Sequence, residues 1–431
     1  MTQPQIITLA VLVGVVGLLV WGRLRSEVVA LSGAALLLVT GVIRPVQVEG
    51  AFASPAILAL ASLFVIAYAM ELTGLLGFLI RGAVWLCQKL GSFGIWLVII
   101  LSGALSAFVN NTPIVVLAAP VIRDVSQSLS LSPKRFLIPL SYATILGGAC
   151  TLIGTSTNLL VNDMARTAGQ PGFGLFEITP AALTVAAVGA LYLYFYGSRR
   201  LAASHETPTT NPLPKRANEA AGDDPALFPA DRPLRLVPAL VSLLVFVIVV
   251  GAAALGLTPI AAAAFAGAVL LILTGVIGAE EAYQGLRPEI LLLIAGMVVI
   301  GLSLEATGLA AVVTKILLGG AGWAGPLVAL TLLYGATLFM TEILSNAAVA
   351  VLVTPIAVAL AQSLHVSPRP FLVAVMLAAS AAFATPFGYQ TNVLVYQLGG
   401  YGYMDFVRVG VPLNLLTWAV GVAAIAFFYP F

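Results

Sequence analysis

Two short polar knots interrupt an otherwise apolar chain of 431 residues: 106-SAFVNNTPIVVLAAP-120 and 341-TEILSNAAVAVLVTP-355. In each, a hydroxyl residue (Ser106, Thr341) stands five places before an asparagine (Asn111, Asn346). Asn110 or Ser345 precedes that asparagine, Thr112 or Ala347 follows it, and a proline lies nine places on, at Pro120 and Pro355. Side-chain amide and hydroxyl oxygens are hard ligands suited to Na⁺. The asparagine amides also carry N–H donors, and a helix beginning there offers partial positive charge to an anion. No Lys or Arg lies among these residues. An anion held here would be neutralised by bound cations and helix dipoles, so the two ligands would bind interdependently. Glu342 adjoins Thr341, and an intramembrane carboxylate is a functional candidate by default. It reads either as a coupling carboxylate or as a partner for local backbone.

A second pair of polar stretches follows the knots, 154-GTSTNLLV-161 and 388-GYQTNVLV-395. Glycine and small hydroxyl residues inside apolar segments can support a break in a helix, freeing carbonyl groups as further oxygen ligands. Gly154 and Gly388 can equally serve close helix packing. A single Asn in a membrane helix reads as interhelical glue, whereas a pair at equivalent places reads as a site. Thr155, Tyr389 and Gln390 stand where they could reach a substrate.

Composition dictates what must position these residues. At 61% hydrophobic, 8% charged and a mean hydropathy of +1.08, the chain cannot build a water-soluble surface and reads as an all-α polytopic membrane protein. The apolar runs are far too long for the alternating strands of an outer-membrane barrel. Net charge of +2 carries no nucleic-acid signal, and Cys87, Cys150, His205 and His365 show no disulfide or metal spacing. The first apolar run lacks a basic leader and reads as a retained span. Spans are expected over 5–22, 27–43 and 54–72, with an interfacial helix at 75–90 carrying Arg81 and Lys89. A hairpin over 91–127, a broken span over 136–162 and a span over 177–197 complete the set. The arm before the first knot holds roughly 15 helical residues, about 22 Å, too short to cross hydrocarbon, so the knot is expected at the tip of a re-entrant hairpin. Residues 198–232, rich in proline and charge, form a polar linker.

The second half echoes the first. TGVI at 40 returns at 274, and Thr73-Gly74-Leu75 returns as Thr307-Gly308-Leu309. SP-x-x-FL at 132 returns at 367, Asn111 as Asn346, and the 154–161 break as 388–395, all at a spacing of 234 or 235. This divides the chain into repeat 1 (1–197), the linker (198–232) and repeat 2 (233–431, with its hairpin over 324–361). Each repeat holds five spans, and an odd number inverts one repeat against the other. With a cytoplasmic linker, fifteen of the 19 lysines and arginines fall inside and both termini outside, as the positive-inside rule demands. Inverted repeats with broken helices near the midplane describe a secondary transporter.

These residues resemble the divalent anion:sodium symporter family of the ion-transporter superfamily. That family carries a Ser-Asn-Thr signature at each of two hairpin tips, a hydroxyl residue five places before each Asn, and a broken helix after each hairpin. The likeness covers essentially the whole chain, with Asn110 in place of the first Ser and Ala347 in place of the second Thr, which removes one hydroxyl from the substrate shell. GTSTN and PFGYQTN look like the bacterial and algal branch usually assigned to sulfate. The resemblance implies a homodimeric elevator in a plasma (inner) membrane. It places one Na⁺ on Ser106, Asn110, Asn111 and Gly154 and another on Thr341, Ser345, Asn346 and Gly388. Substrate would meet Asn111, Thr112, Asn346 and the backbone near Ala347.

The expected function is therefore Na⁺-coupled uptake of a small divalent anion, sulfate first and C4-dicarboxylate second. Moving one charge through 100 mV takes about 2.3 kcal/mol, so a dianion entering an inside-negative cell needs at least two Na⁺. A proton-coupled or efflux permease of arsenite type rests on Glu342 alone. A passive anion channel is disfavoured by two occluding hairpins. No nucleophile, base and orienting partner converge, so no enzyme and no organic cofactor are expected.

Overall fold

The computed structural model describes residues 1–21, 23–75, 77–78, 82, 89–202, 233–310, 312 and 325–431, and these are helical with connecting turns, without a strand among them. Most of the interfacial helix expected at 75–90 and most of the linker lie outside the described residues. In chain order the helices are α1 (Gln3–Trp21), α2 (Ser26–Val39), α3 (Pro45–Phe52), α4 (Pro55–Leu72), α5 (Ser92–Ser106), α6 (Asn111–Ser128), α7 (Lys134–Gly148), α8 (Ser156–Thr167), α9 (Thr179–Tyr192) and α10 (Ser198–Ala202), with a π-helical turn over Leu193–Gly197 between the last two. The second half supplies α11 (Leu236–Ala254), α12 (Ile260–Leu273), α13 (Ala279–Gly285), α14 (Pro288–Ala306), α15 (Pro326–Thr341), α16 (Asn346–Ser363), α17 (Arg369–Ser380), α18 (Gln390–Gly399) and α19 (Tyr403–Phe428).

Among the described residues, seven helical stretches are long and apolar enough to cross a membrane, including α1, Pro45–Leu72, Thr179–Leu201, α11, α14 and α19. The seventh is α16, the returning arm of the second knot, whose 18 residues qualify by length and apolar composition. The α2 helix stops at Val39, short of the expected boundary at 43, because Gly41 turns the chain at φ 72° and Pro45 starts a new helix. At the other end of the first half, helix continues through Ala202, so the first residues of the expected linker are helical. The first knot's leading arm is α5, 15 residues long.

Turn geometry recurs at the spacing read in the sequence. Gly41 and Gly275 turn at φ 72° and 69°, Gly74 and Gly308 at 75° and 67°. The non-glycine pair Ser130 and His365, 235 positions apart, both adopt the left-handed region, at 57° and 56°. Each ends a helix in the same way, with Leu131 N–H donating to Ser126 O and Val366 N–H to Ala361 O.

Packing sorts the helices into two groups. In one, α14 lies on α2, α4 on α12, and α11 on α12; in the other, α5 lies on α7, α9 on α19, and α15 on α17. The groups meet where α14 touches α16 and α8, and where α4 touches α8. At this seam a Cβ on Gly301 would lie 2.5 Å from Met164 Cε and 3.0 Å from Val351 Cγ1. A buried polar contact crosses it: Ser54, the N-cap of α4, donates its hydroxyl to Asp163 Oδ2 of α8 at 2.5 Å. Within the second group α5 and α7 pack backbone to backbone, since a Cβ on Gly147 would stand 1.9 Å from Gly103 O.

Candidate functional site

Each knot ends one helix and begins the next. Asn110 has extended backbone and caps α6, its Oδ1 accepting from Thr112 N–H at 3.4 Å. Ser345 does the same for α16, accepting from Ala348 N–H at 3.3 Å. Both side-chain oxygens thus satisfy amides that an α-helix leaves without partners, which is why a polar residue belongs at that place in an apolar chain. One position into each helix, the asparagine side chain folds back on its own hairpin. Ser106 donates to Asn111 Oδ1, and the Thr341 hydroxyl shares its one proton between Asn346 Oδ1 at 2.7 Å and Ala379 O at 2.6 Å. Asn111 is fully buried and Asn346 partly so.

The breaks expected around Gly154 and Gly388 are present. The α7–α8 and α17–α18 pairs are separated by the non-helical stretches 149–155 and 381–389. The close-packing role of glycine applies most strongly at Gly154, where a Cβ would meet Gly148 O at 2.3 Å and Ala107 O at 2.8 Å. A Cβ on Gly388 would meet side chains instead: Ala382 Cβ at 2.8 Å, Thr385 Oγ1 at 3.1 Å and Glu342 Oε2 at 3.3 Å. Thr155 caps α8, accepting from Asn158 N–H at 3.4 Å. Its counterpart Tyr389 has extended backbone but makes no side-chain cap, which leaves the first amides of α18 without one.

The first hairpin and the second break are bonded together. Asn111 Nδ2 donates to the Tyr389 hydroxyl at 2.8 Å and Thr112 Oγ1 to Gln390 Oε1 at 3.2 Å, while α18 packs along α6 and α7. The complementary packing sets α16, the helix begun by Asn346, against α8. Ala347 is partly buried against the same core. Of the sequence-derived residues, the structure therefore joins Ser106, Asn111, Thr112, Tyr389 and Gln390 in one network. Thr341 and Asn346 form a second, and Glu342 reaches the second break.

Glu342 acts here as a cap for irregular backbone. Its Oε1 accepts from Ala384 N–H at 2.7 Å and from Asn414 Nδ2 at 2.7 Å, and its Oε2 accepts from Thr385 N–H at 2.9 Å. Sequence reasoning left out Asn414, Ser141, Thr151, Thr385 and the side chains of Asn158 and Asn392. Ser141 of α7 donates to Asn392 Oδ1 at 2.7 Å, and its oxygen lies 2.8 Å from Thr391 Oγ1. The signal for four of the others was the pattern Thr-x-x-Gly-x-x-Thr-Asn, which occurs at 151–158 and again at 385–392.

Membrane-length helices, two capped hairpin tips and two broken helices cross-braced by neutral polar side chains are the build of a membrane transporter. The chain belongs to the citrate transporter family (CitMHS) of the ion-transporter superfamily, whose pattern it matches over residues 16–367. Among its relatives is an uncharacterized transporter of Synechocystis sp., 25% identical with 95% of each chain covered. The alignment runs over 583 residues, more than the 431 of this chain, so that relative carries segments lacking here. The sodium/sulfate cotransporter 1 of Chlamydomonas reinhardtii is 36% identical over 38% of this chain and 18% of its own length. The sodium-dependent dicarboxylate transporter SdcS of Staphylococcus saprophyticus is 24% identical, covering 92% of this chain and 80% of that protein. In fold, the chain is similar to the YdaH transporter of Alcanivorax borkumensis, with a TM-score of 0.63 at 16% identity over 100% of this chain and 99% of that one.

Proposed function

We propose that this transporter carries out Na⁺-coupled symport of a small divalent anion, sulfate in the first place and a C4-dicarboxylate in the second. The carrying observation is the pair of matched knots. Ser106–Asn111 and Thr341–Asn346 present side-chain oxygens beside broken helices, and no Lys or Arg stands among the residues gathered there. A cation bound at each would supply the positive charge that a dianion requires, and the uncapped start of α18 adds N–H donors beside Tyr389 and Gln390. One Na⁺ would be held by Ser106, Asn110, Asn111 and Gly154, the other by Thr341, Ser345, Asn346 and Gly388. Asn111, Thr112, Thr155, Asn346, Ala347, Tyr389 and Gln390 would face the anion. Relatives named for sodium/sulfate and sodium/dicarboxylate transport support both the coupling ion and the substrate class.

In this reading residues 1–197 and 233–431 are inverted repeats joined by a cytoplasmic linker over 198–232, in the inner membrane, with both termini outside. The two packing groups support an elevator in which α5–α10 and α15–α19 move against the rest, in a homodimer. The test is uptake of radiolabelled sulfate into proteoliposomes under an inward Na⁺ gradient, with succinate as competitor. Equal uptake with choline in place of Na⁺ would defeat the reading. Glu342 supports a second one, a proton-coupled or efflux permease, because this carboxylate sits at the second break bonded to neutral donors. Uptake driven by a pH gradient without Na⁺ would favour it.

A further inference from the structure

Both breaks are held open by the same set of side chains, none of which the ion and substrate assignments above use. Thr151 and Thr385 each accept the amide of the break glycine, Gly154 or Gly388, at 3.1 Å in both cases. Each hydroxyl also donates to its own hairpin: Thr151 to Ala107 O, and Thr385 to Glu342 O at 3.4 Å. Ala107 and Glu342 are themselves 235 positions apart. A single hydroxyl thus ties a hairpin turn to the glycine of the broken helix.

An asparagine closes each break from the far side. Asn158 donates from Nδ2 to Thr151 O at 2.8 Å and Ala149 O at 3.4 Å; Asn392 donates to Ala382 O at 2.8 Å and Thr385 O at 3.3 Å. These carbonyls belong to non-helical backbone, buried at Ala149, Thr151 and Ala382 and partly buried at Thr385, where an unpaired polar group is costly. Satisfying them from one side fixes which way the remaining carbonyls of the break point. The two closures differ in detail: the far carbonyl lies nine residues before Asn158 but ten before Asn392, and Asn392 Oδ1 accepts from Ser141, whereas Asn158 Oδ1, fully buried, has no partner.

We propose that Thr151 with Asn158, and Thr385 with Asn392, are positioning residues, two equivalent clasps that fasten each broken helix to its own hairpin and hold it in the shape a cation needs. This rests on the Na⁺-site reading above and adds to it residues that touch neither ion nor anion. A clasp acts on cation affinity through geometry, so its loss raises the Na⁺ requirement and leaves the anion's own contacts in place.

The experiment measures sulfate uptake against Na⁺ concentration in proteoliposomes for wild type, Thr151→Val, Thr385→Val and the corresponding Ser variants. Valine keeps the shape and removes the hydroxyl. The expected result is a rise of about tenfold in the Na⁺ needed for half-maximal uptake, the size set by a lost buried hydrogen bond. The KM for sulfate at saturating Na⁺ stays unchanged, and Ser restores the Na⁺ response. Valine variants that keep the wild-type Na⁺ response overturn the clasps and leave the symport reading standing. A wild-type protein indifferent to Na⁺ overturns both. Hydrogen exchange on the wild type gives a readout free of folding defects: amides of 149–155 and 381–389 should be as protected as the adjoining helices, and fast exchange there refutes the proposal.

Discussion

Asn111 and Tyr389, 278 positions apart in sequence, are joined by a hydrogen bond of 2.8 Å from the asparagine amide to the tyrosine hydroxyl. The bond makes the tip of the first hairpin and the start of α18 one polar surface. It also leaves the tyrosine proton available to an anion.

Tyr389→Phe removes the acceptor and strands a buried N–H of Asn111. The expected cost is about 1–3 kcal/mol of stability, read as a lower unfolding midpoint. Sulfate KM should rise severalfold in the same variant. Asn111→Ala or Asn346→Ala should go further and abolish any Na⁺-dependent thermal shift.

The two break glycines should respond differently to alanine. At Gly154 the new methyl would run into backbone oxygen, at 2.3 Å from Gly148 O, and backbone cannot step aside. At Gly388 it would press on the Ala382 methyl and the Thr385 hydroxyl. Gly154→Ala should therefore eliminate uptake, while Gly388→Ala lowers it and leaves a folded, monodisperse protein by gel filtration.

Glu342→Gln replaces an acceptor-only group by one that must also donate, although all three of its neighbours are donors. Stability should fall by about 1–3 kcal/mol. Uptake measured with separate Na⁺ and pH gradients then distinguishes the two functional readings. Under Na⁺ symport, the residual activity remains Na⁺-dependent; under proton coupling, the response to the pH gradient disappears.

Arg369 grips the loop before α9 in several ways. It donates to Pro171 O at 3.1 Å and Gly172 O at 3.0 Å, lies 4.1 Å over the Phe173 ring, and pairs with Glu177 at 3.3 Å. The ion pair is only partly shielded from solvent and should contribute below about 1 kcal/mol. Arg369→Ala is expected to lower the unfolding midpoint clearly more than Glu177→Gln, because it also removes the carbonyl and aromatic contacts.

The parts of this structure that were legible in the sequence are those governed by local chemistry. Asn110, Thr155 and Ser345 advertise helix starts because a capping side chain serves amides two or three residues away. The arm before Asn111 has the expected 15 residues. Thr151 and Thr385 were harder to see, since their hydroxyls serve carbonyls 44 and 43 positions distant. Glu342 was noticed for its charge, but its bonds to Ala384, Thr385 and Asn414 depend on how α15, the second break and α19 pack. The early end of α2 followed from Gly41 and Pro45, both in plain view, yet the unbroken apolar run around them concealed the turn.

The backbone contact between Gly103 and Gly147 restricts how the site can be exposed. With no side chain at either position to act as a cushion, α5 cannot tilt away from α7 without opening a void along the whole length of the contact. The leading arm of the first hairpin is thereby denied the role of a swinging flap. In the elevator proposed above, the first hairpin would then travel with α7 as a single piece.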